Sequence, residues 1–288
     1  MCTPLRGPDL IEEIGNVSAP DGGLTLWWLG QASVALRIGD AVIYIDPFLS
    51  ESAQRLVPPP CSGDDVTNAD LILLTHGHSD HLDAAALPLI ATASPGATIV
   101  APRPLVPRVA ALVGDAGRIL PAEAGVPIGW RGLRIVPIIA KHEAFDMHPH
   151  LGYPYLGYVL LGRNIGLYHA GDTVPYEGLV DSLARLPVDL ALLPINGRDY
   201  FRTQRGTAGN MDSREAAELA SLLNVDTAIP IHYGMFAGNT ASPGDFVERL
   251  QAIAPHIHAL IPGLARPCRY LPPRPRRPAG TAQAPAPP

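Results

Sequence analysis

The segment Thr75-His76-Gly77-His78-Ser79-Asp80-His81 sets four ligand-type side chains within six consecutive residues, where an apolar strand ends. No regular element can turn all four towards one ion. A tight loop through Gly77 can splay them, with two imidazoles reaching one metal and Asp80 with His81 reaching a second. Imidazole and carboxylate donors suit zinc, manganese or iron, and the lack of thiolates argues against a structural zinc site. Three more residues of this chemistry follow apolar strands: His142 after RIVPIIAK, Asp172 after IGLYHAG and His232 after TAIPI. Strand ends on one rim of a sheet converge in space however far apart they lie in the chain. Seven such side chains exceed what one tetrahedral site can use, so two divalent metal ions per chain are expected. A metal pair sharing a hydroxide supplies a nucleophile near neutral pH, because coordination lowers the pKa of water to about 7. No side-chain nucleophile is then required, and an ester, lactone, amide or phosphodiester would all be eligible substrates.

The elements that must carry these residues can be read from the apolar runs. Residues 24–29, 32–38 and 41–45 read as three consecutive strands of a meander. A Pro- and Asp-rich stretch over 50–69 reads as a long loop, and 71–74 as a buried strand stopping at the His-rich segment. Helices are expected at 82–90 and 104–113, with strands at 98–101 and 133–139. The second half repeats this pattern, with a hairpin of 155–161 and 164–168, a helix at 176–186 and a strand at 189–193. A helix at 213–223, a strand at 227–231, a helix at 243–253 and a strand at 257–261 follow. Each half opens with adjacent strands and then interleaves helices, which predicts two mixed sheets packed face to face with helices outside.

Composition narrows the class. Hydrophobic residues make up 47% and charged residues 17%, enough apolar material for a sizeable core. A net charge of −6, with Lys141 the only lysine, argues against a nucleic-acid surface as the main partner. Cys2, Cys61 and Cys268 are far apart and form no CxxC pair, which fits a reducing compartment. The opening MCTPLRGPDLIEEIG lacks an apolar h-region, and no apolar run approaches the roughly 20 residues that span a bilayer. A cytoplasmic protein without membrane partners is expected, with one domain over 1–271. The Pro-, Ala- and Arg-rich stretch 272–288 cannot bury apolar surface and reads as a disordered tail.

The order HxHxDH, then His, then Asp in a Gly-Asp-Thr turn, then His before a C-terminal helix resembles the metallo-β-lactamase superfamily over residues 24–261. That resemblance implies an α+β fold, a four-layer αββα sandwich with its site at one edge of the two sheets. It also implies that His76, His78 and His142 hold the first metal and Asp80, His81 and His232 the second. Asp172 would bridge the two, and Asp80, Asp172 and His232 would be the catalytic members of the set. Asp46, in Ile45-Asp46-Pro47, matches the acid that receives hydrogen bonds from metal-bound histidines. His169 reads as an inward-pointing strand residue behind the ligands. His148 and His150, in HEAFDMHPH, are the alternatives to His142, which is preferred because it directly follows its strand.

A finer resemblance is carried by LGQASVALRIGDAVIYIDPFLS, YHAGDT, ALLPINGRD and NMDSREAAELASLLNVDTAIPIHYGMFAGN. These are similar to the L-ascorbate-6-phosphate lactonase-like branch, which implies a lactonase acting on a small, phosphorylated or otherwise anionic lactone, and makes a homo-oligomer reasonable. Gln31 departs from that pattern, since related sequences often carry His after Leu-Gly. Arg198, Arg202 and Arg205 would suit an anionic substrate if their loop faces the metals. Asn196, Tyr233, His148 and His150 are further candidates for substrate contact. The alternatives to a lactonase are a phosphodiesterase or nuclease of the same superfamily, and a non-catalytic metal-binding member.

Overall fold

The computed structural model describes residues 4–142 and 144–273; nearly all of the expected tail, 274–288, lies outside the described residues. Six strands come first: β1 (Leu24–Gly30), β2 (Ser33–Ile38), β3 (Ala41–Ile45), β4 (Leu71–Leu73), β5 (Thr98–Pro102) and β6 (Ile119–Ala122). The next seven form a second sheet: β7 (Ile128–Trp130), β8 (Leu133–Ile139), β9 (Leu156–Leu161), β10 (Gly166–His169), β11 (Leu190–Pro194), β12 (Thr227–Ile231) and β13 (His258–Ala259). The last strand, β14 (Pro267–Tyr270), returns to the first sheet and pairs with β1. Both sheets follow one plan. In the first, β1 to β3 are antiparallel and β3 to β6 parallel. In the second, β7 to β10 are antiparallel and β10 to β13 parallel.

Side chains alternate along each strand, so each sheet has two apolar faces to cover. Ile43, Ile45, Leu71 and Leu73 meet Leu156, Tyr158, Leu160 and Leu192 between the sheets. Val42, Tyr44 and Ile72 point the other way, beneath α1 (Gly7–Asn16), α2 (Ala86–Ala93) and α3 (Val106–Val113). Val159, Tyr168, Ala191 and Leu193 lie beneath α4 (Leu179–Ala184), α6 (Ser213–Leu223) and α7 (Pro243–Ile253). Strands buried on both faces read as continuous apolar runs, which is why the sequence signals them so clearly. The result is the expected αββα sandwich. Among the described residues no helix is long and apolar enough to cross a membrane.

Several boundaries differ from expectation. The helix expected over 82–90 starts only at Ala86, because Asp83 stays outside it and accepts the backbone N–H groups of Ala85, Ala86, Leu49 and Ser50. The helix expected over 176–186 shrinks to α4, preceded by Gly178 in a left-handed conformation. Among the described residues, α1, β6, β7 and β14 had no sequence expectation. Neither did the short α5 (Tyr200–Gln204), capped by Asp199 Oδ1 on the Arg202 N–H.

Candidate metal centre

The pairing pattern makes β1, β3 and β4 run in one direction, and β8, β10 and β12 likewise share a direction in the second sheet. Their carboxyl ends meet at one edge of the sandwich. Gln31 directly follows β1, Asp46 follows β3 and His232 follows β12. All three hold left-handed backbone angles, with φ of 52°, 46° and 61°. Such angles are unfavourable for side-chain-bearing residues and collect where the surrounding structure over-determines them. Here they turn the chain out of the sheet at its rim. Gly171, also left-handed, could carry no side chain, since a Cβ would lie 2.9 Å from the Leu156 carbonyl oxygen and 3.0 Å from Thr75 Cβ. The turn brings Asp172 down between the two sheets.

The structure gathers all seven predicted ligand residues. Ligand atoms of His76, His78, His142 and Asp172 form one group within 4.8 Å of one another, and those of Asp80, His81 and His232 form a second. Asp172 stands between the groups. Its Oδ1 is 3.2 Å from His81 Nε2, and its Oδ2 is 3.2 Å from His232 Nε2, 3.7 Å from His142 Nε2 and 4.0 Å from His76 Nε2. His76 Nε2, His81 Nε2 and Asp172 Oδ1 are buried without any hydrogen-bond partner. Buried polar atoms are rarely left so. Lone-pair donors converging without donors of hydrogen to answer them fit a cation, and the nitrogen and oxygen set is that of a divalent transition metal.

Behind the groups, other residues fix the imidazoles. Asp46 is fully buried; its Oδ2 accepts from His81 Nδ1 at 2.7 Å, and its carboxylate also takes the Thr75 N–H and hydroxyl. His81 is thereby held with Nε2 towards Asp172. His169 is buried, with Nε2 on the Ala32 carbonyl at 2.8 Å and Nδ1 accepting the Gly171 N–H. It ties the turn after β1 to the turn that carries Asp172 and is not itself in either group. Tyr155 packs its ring 5.2, 5.7 and 5.5 Å from those of His76, His78 and His142. Sequence reasoning missed Tyr155, Thr75 and Asp83. Neither Tyr155 nor Thr75 carries a spacing signal; Asp83 lay hidden inside an expected helix.

The electrostatics of the two groups differ. Burial holds His76 well below the usual imidazole range, helped by the neighbouring His81. Burial also lowers His78, with His142 adding to it, and lowers His142 despite the opposing pull of Asp172. Burial works against the charge of His81 as well, but Asp172, Asp80 and Asp46 outweigh it and hold its pKa well above the usual range. His232 is raised in the same way by Asp172 and Asp80 against its burial. Asp80 and Asp172 are both lowered, since His81 and His232 overcome the burial that opposes their charge.

Above the groups lies a cavity of about 700 Å³, floored by His78, Asp80, His142, Asp172 and His232. Loops 53–56, 206–208 and 236–239 wall it. The expected substrate residues fare differently. Arg198 is engaged by Glu215 through two bonds of 2.6 and 2.7 Å and by the Asn210 carbonyl. Arg202 binds Asp199, the Asn196 carbonyl and Asn239. Arg205 is exposed. None of the three lines the cavity. The Asn196 carboxamide is spent on Asn239 and Asn210, and Tyr233 stacks on Trp28 at 4.9 Å. His148 and His150 are exposed, with rings 6.2 Å apart, and belong to neither group. Arg55, on the cavity wall, was not anticipated; three backbone carbonyls hold its guanidinium.

Comparison with known proteins adds to this geometry. Residues 42–233 match the Beta-lactamase superfamily domain. The chain is 34% identical over 239 residues to a UPF0173 metal-dependent hydrolase of Pyrococcus horikoshii, covering 82% of this chain and 96% of the relative. A UPF0173 metal-dependent hydrolase of Methanopyrus kandleri is 30% identical over 247 residues, with coverages of 83% and 96%. Among solved structures, Igni18, a metallo hydrolase from Ignicoccus hospitalis, superposes with a TM-score of 0.67 at 23% identity, covering 85% of this chain and 97% of that one. At that identity the likeness is one of fold.

Proposed function

The chain belongs to the beta-lactamase superfamily and, within it, to the UPF0173 metal-dependent hydrolases, and on that premise we propose that it is a dinuclear lactonase acting on a small lactone. His76, His78 and His142 hold one ion, Asp80, His81 and His232 the other, and Asp172 serves both. The observation that carries this reading is the set of buried, partnerless atoms at the meeting point of the two groups: His76 Nε2, His81 Nε2 and Asp172 Oδ1. Zinc is the first expectation for the metal and manganese the second. When bound, the ions would supply an acidified water near neutral pH and a Lewis acid for the substrate carbonyl.

The protein's own side chains do the positioning. Asp46 fixes the His81 tautomer, His169 anchors the Asp172 turn, and Tyr155 shields the first group on one side. A cavity of about 700 Å³ is of a size for a small molecule. Arg55 is the one Lys or Arg among the described residues lining the cavity, which suits a small substrate better than a nucleic acid, whose phosphates call for clustered Lys and Arg. With Arg198 and Arg202 committed to neighbours, the geometry favours a lactone recognised mainly at its carbonyl over one held by those arginines.

The test is a panel of neutral and anionic lactones beside a bis-aryl phosphodiester, run with zinc, with manganese and without metal. Metal-dependent lactone opening is expected. Phosphodiester cleavage with no lactone turnover would overturn the lactonase reading in favour of a phosphodiesterase. Full metal loading without turnover on any of these substrates would make the chain a binding protein.

A further inference from the structure

Gln31 is fully buried at the rim, directly after β1, in a left-handed conformation with φ of 52°. Its backbone carbonyl accepts the His232 N–H at 3.0 Å and the Trp28 indole N–H at 2.9 Å. Its side-chain Nε2 donates to Asp80 Oδ2 at 2.8 Å and lies 3.1 and 3.2 Å from the two ring nitrogens of His232. The same Asp80 oxygen is 3.5 Å from His232 Nε2 and 3.8 Å from His81 Nε2. The Gln31 side chain therefore touches two members of the second group by three contacts, and its backbone carbonyl adds a fourth.

The other end of the carboxamide shows what holds it there. Gln31 Oε1 is buried with no hydrogen-bond partner. An apolar side chain of similar size would fill this space without a stranded acceptor, and leaving one unpaired in the interior is unfavourable. The Asp80 carboxylate explains the orientation, because an amide oxygen turned towards it would be repelled. A strained backbone, a fully buried amide and an unmet acceptor all serve the contact with Asp80 and His232.

We propose that Gln31 is a positioning residue of the Asp80, His81 and His232 group, fixing the Asp80 carboxylate beside His232 and so setting that group's affinity for metal separately from the first group's. The inference rests on the dinuclear reading above. Residues that orient metal ligands from behind alter metal affinity by about 10–100-fold when changed.

Calorimetric titration of the metal-free full chain with zinc tests this in wild type, Gln31→Met and Gln31→Gly. Methionine keeps the bulk without the donor; glycine suits the left-handed backbone and guards against a folding defect. Asp80→Asn and His142→Ala identify which binding phase belongs to which group. In both Gln31 variants the phase that Asp80→Asn removes should weaken about 10–100-fold, while the phase that His142→Ala removes keeps its affinity. Two phases of wild-type affinity in the variants overturn the inference, and so does equal weakening of both, which would make Gln31 general scaffold. A single phase in the wild-type chain overturns the dinuclear reading itself, and this inference with it.

Discussion

The two ligand groups share Asp172 and lie side by side, yet the pKa values of their imidazoles are shifted in opposite directions. His76, His78 and His142 are kept below the ordinary imidazole range, chiefly by burial, so their lone pairs are free near neutral pH. His81 and His232 are also buried, but Asp172 and Asp80 shift their pKa values upward against that burial, with Asp46 adding its charge at His81. The same burial has opposite outcomes because the carboxylates weigh most heavily on that pair.

The largest blow to both groups at once is Asp172→Ala. It should strip metal from each and lower turnover beyond the roughly 10–100-fold that loss of an outer partner costs, and beyond any single histidine change in the 76–81 loop. Metal analysis and kinetics on the purified variant check this; near-normal turnover would remove Asp172 from the centre.

Acidification should separate the groups. Ligands bind metal only when deprotonated. Lowered imidazole pKa values let the first group keep its ion to lower pH, whereas raised values make protons displace the second ion sooner. Metal content measured on lowering pH from neutrality should therefore fall in two steps, from two ions to one and then to none. Simultaneous loss would dissolve the contrast.

His142→Ala should cost one ion, that of the first group, while His148→Ala and His150→Ala leave metal content intact. The reverse ranking would move the ligand into the exposed loop. Asp46→Asn is a milder cut. It keeps a side chain tolerant of the left-handed backbone but removes the charge on His81 Nδ1, and should weaken the second ion by about 10–100-fold with little change at the first. Smallest of all are Arg198→Ala, Arg202→Ala and Arg205→Ala. KM for neutral and anionic lactones should stay the same, and stability should fall by no more than about 1 kcal/mol for a surface pair such as Arg198 with Glu215. A selective rise in KM for the anionic lactone would put these arginines back at the site.

How much was legible depended on distance along the chain. The four ligand-type residues from His76 to His81 announce themselves because they are contiguous and end an apolar run. His142, Asp172 and His232 were legible only through their shared position after strands and the family resemblance. The surroundings of the arginines of 198–205 were not legible, because charge in a loop says nothing of which neighbour reaches it first; Glu215 reaches Arg198 and Asp199 reaches Arg202. Helix α1 escaped because its apolar residues, Leu10, Ile11 and Ile14, are few and set among acids.

By itself the sequence determined most of the strands, the layer order and the donor chemistry, since these follow from short apolar runs and from residue types at their ends. Only the tertiary structure decided how Asp46 and Asp172 act on His81 and what the Gln31 amide does. Those properties depend on contacts between residues far apart in the chain, Gln31 with Asp80 and His232, and His81 with Asp46 and Asp172. Strand pairing creates such contacts, and no local pattern records them.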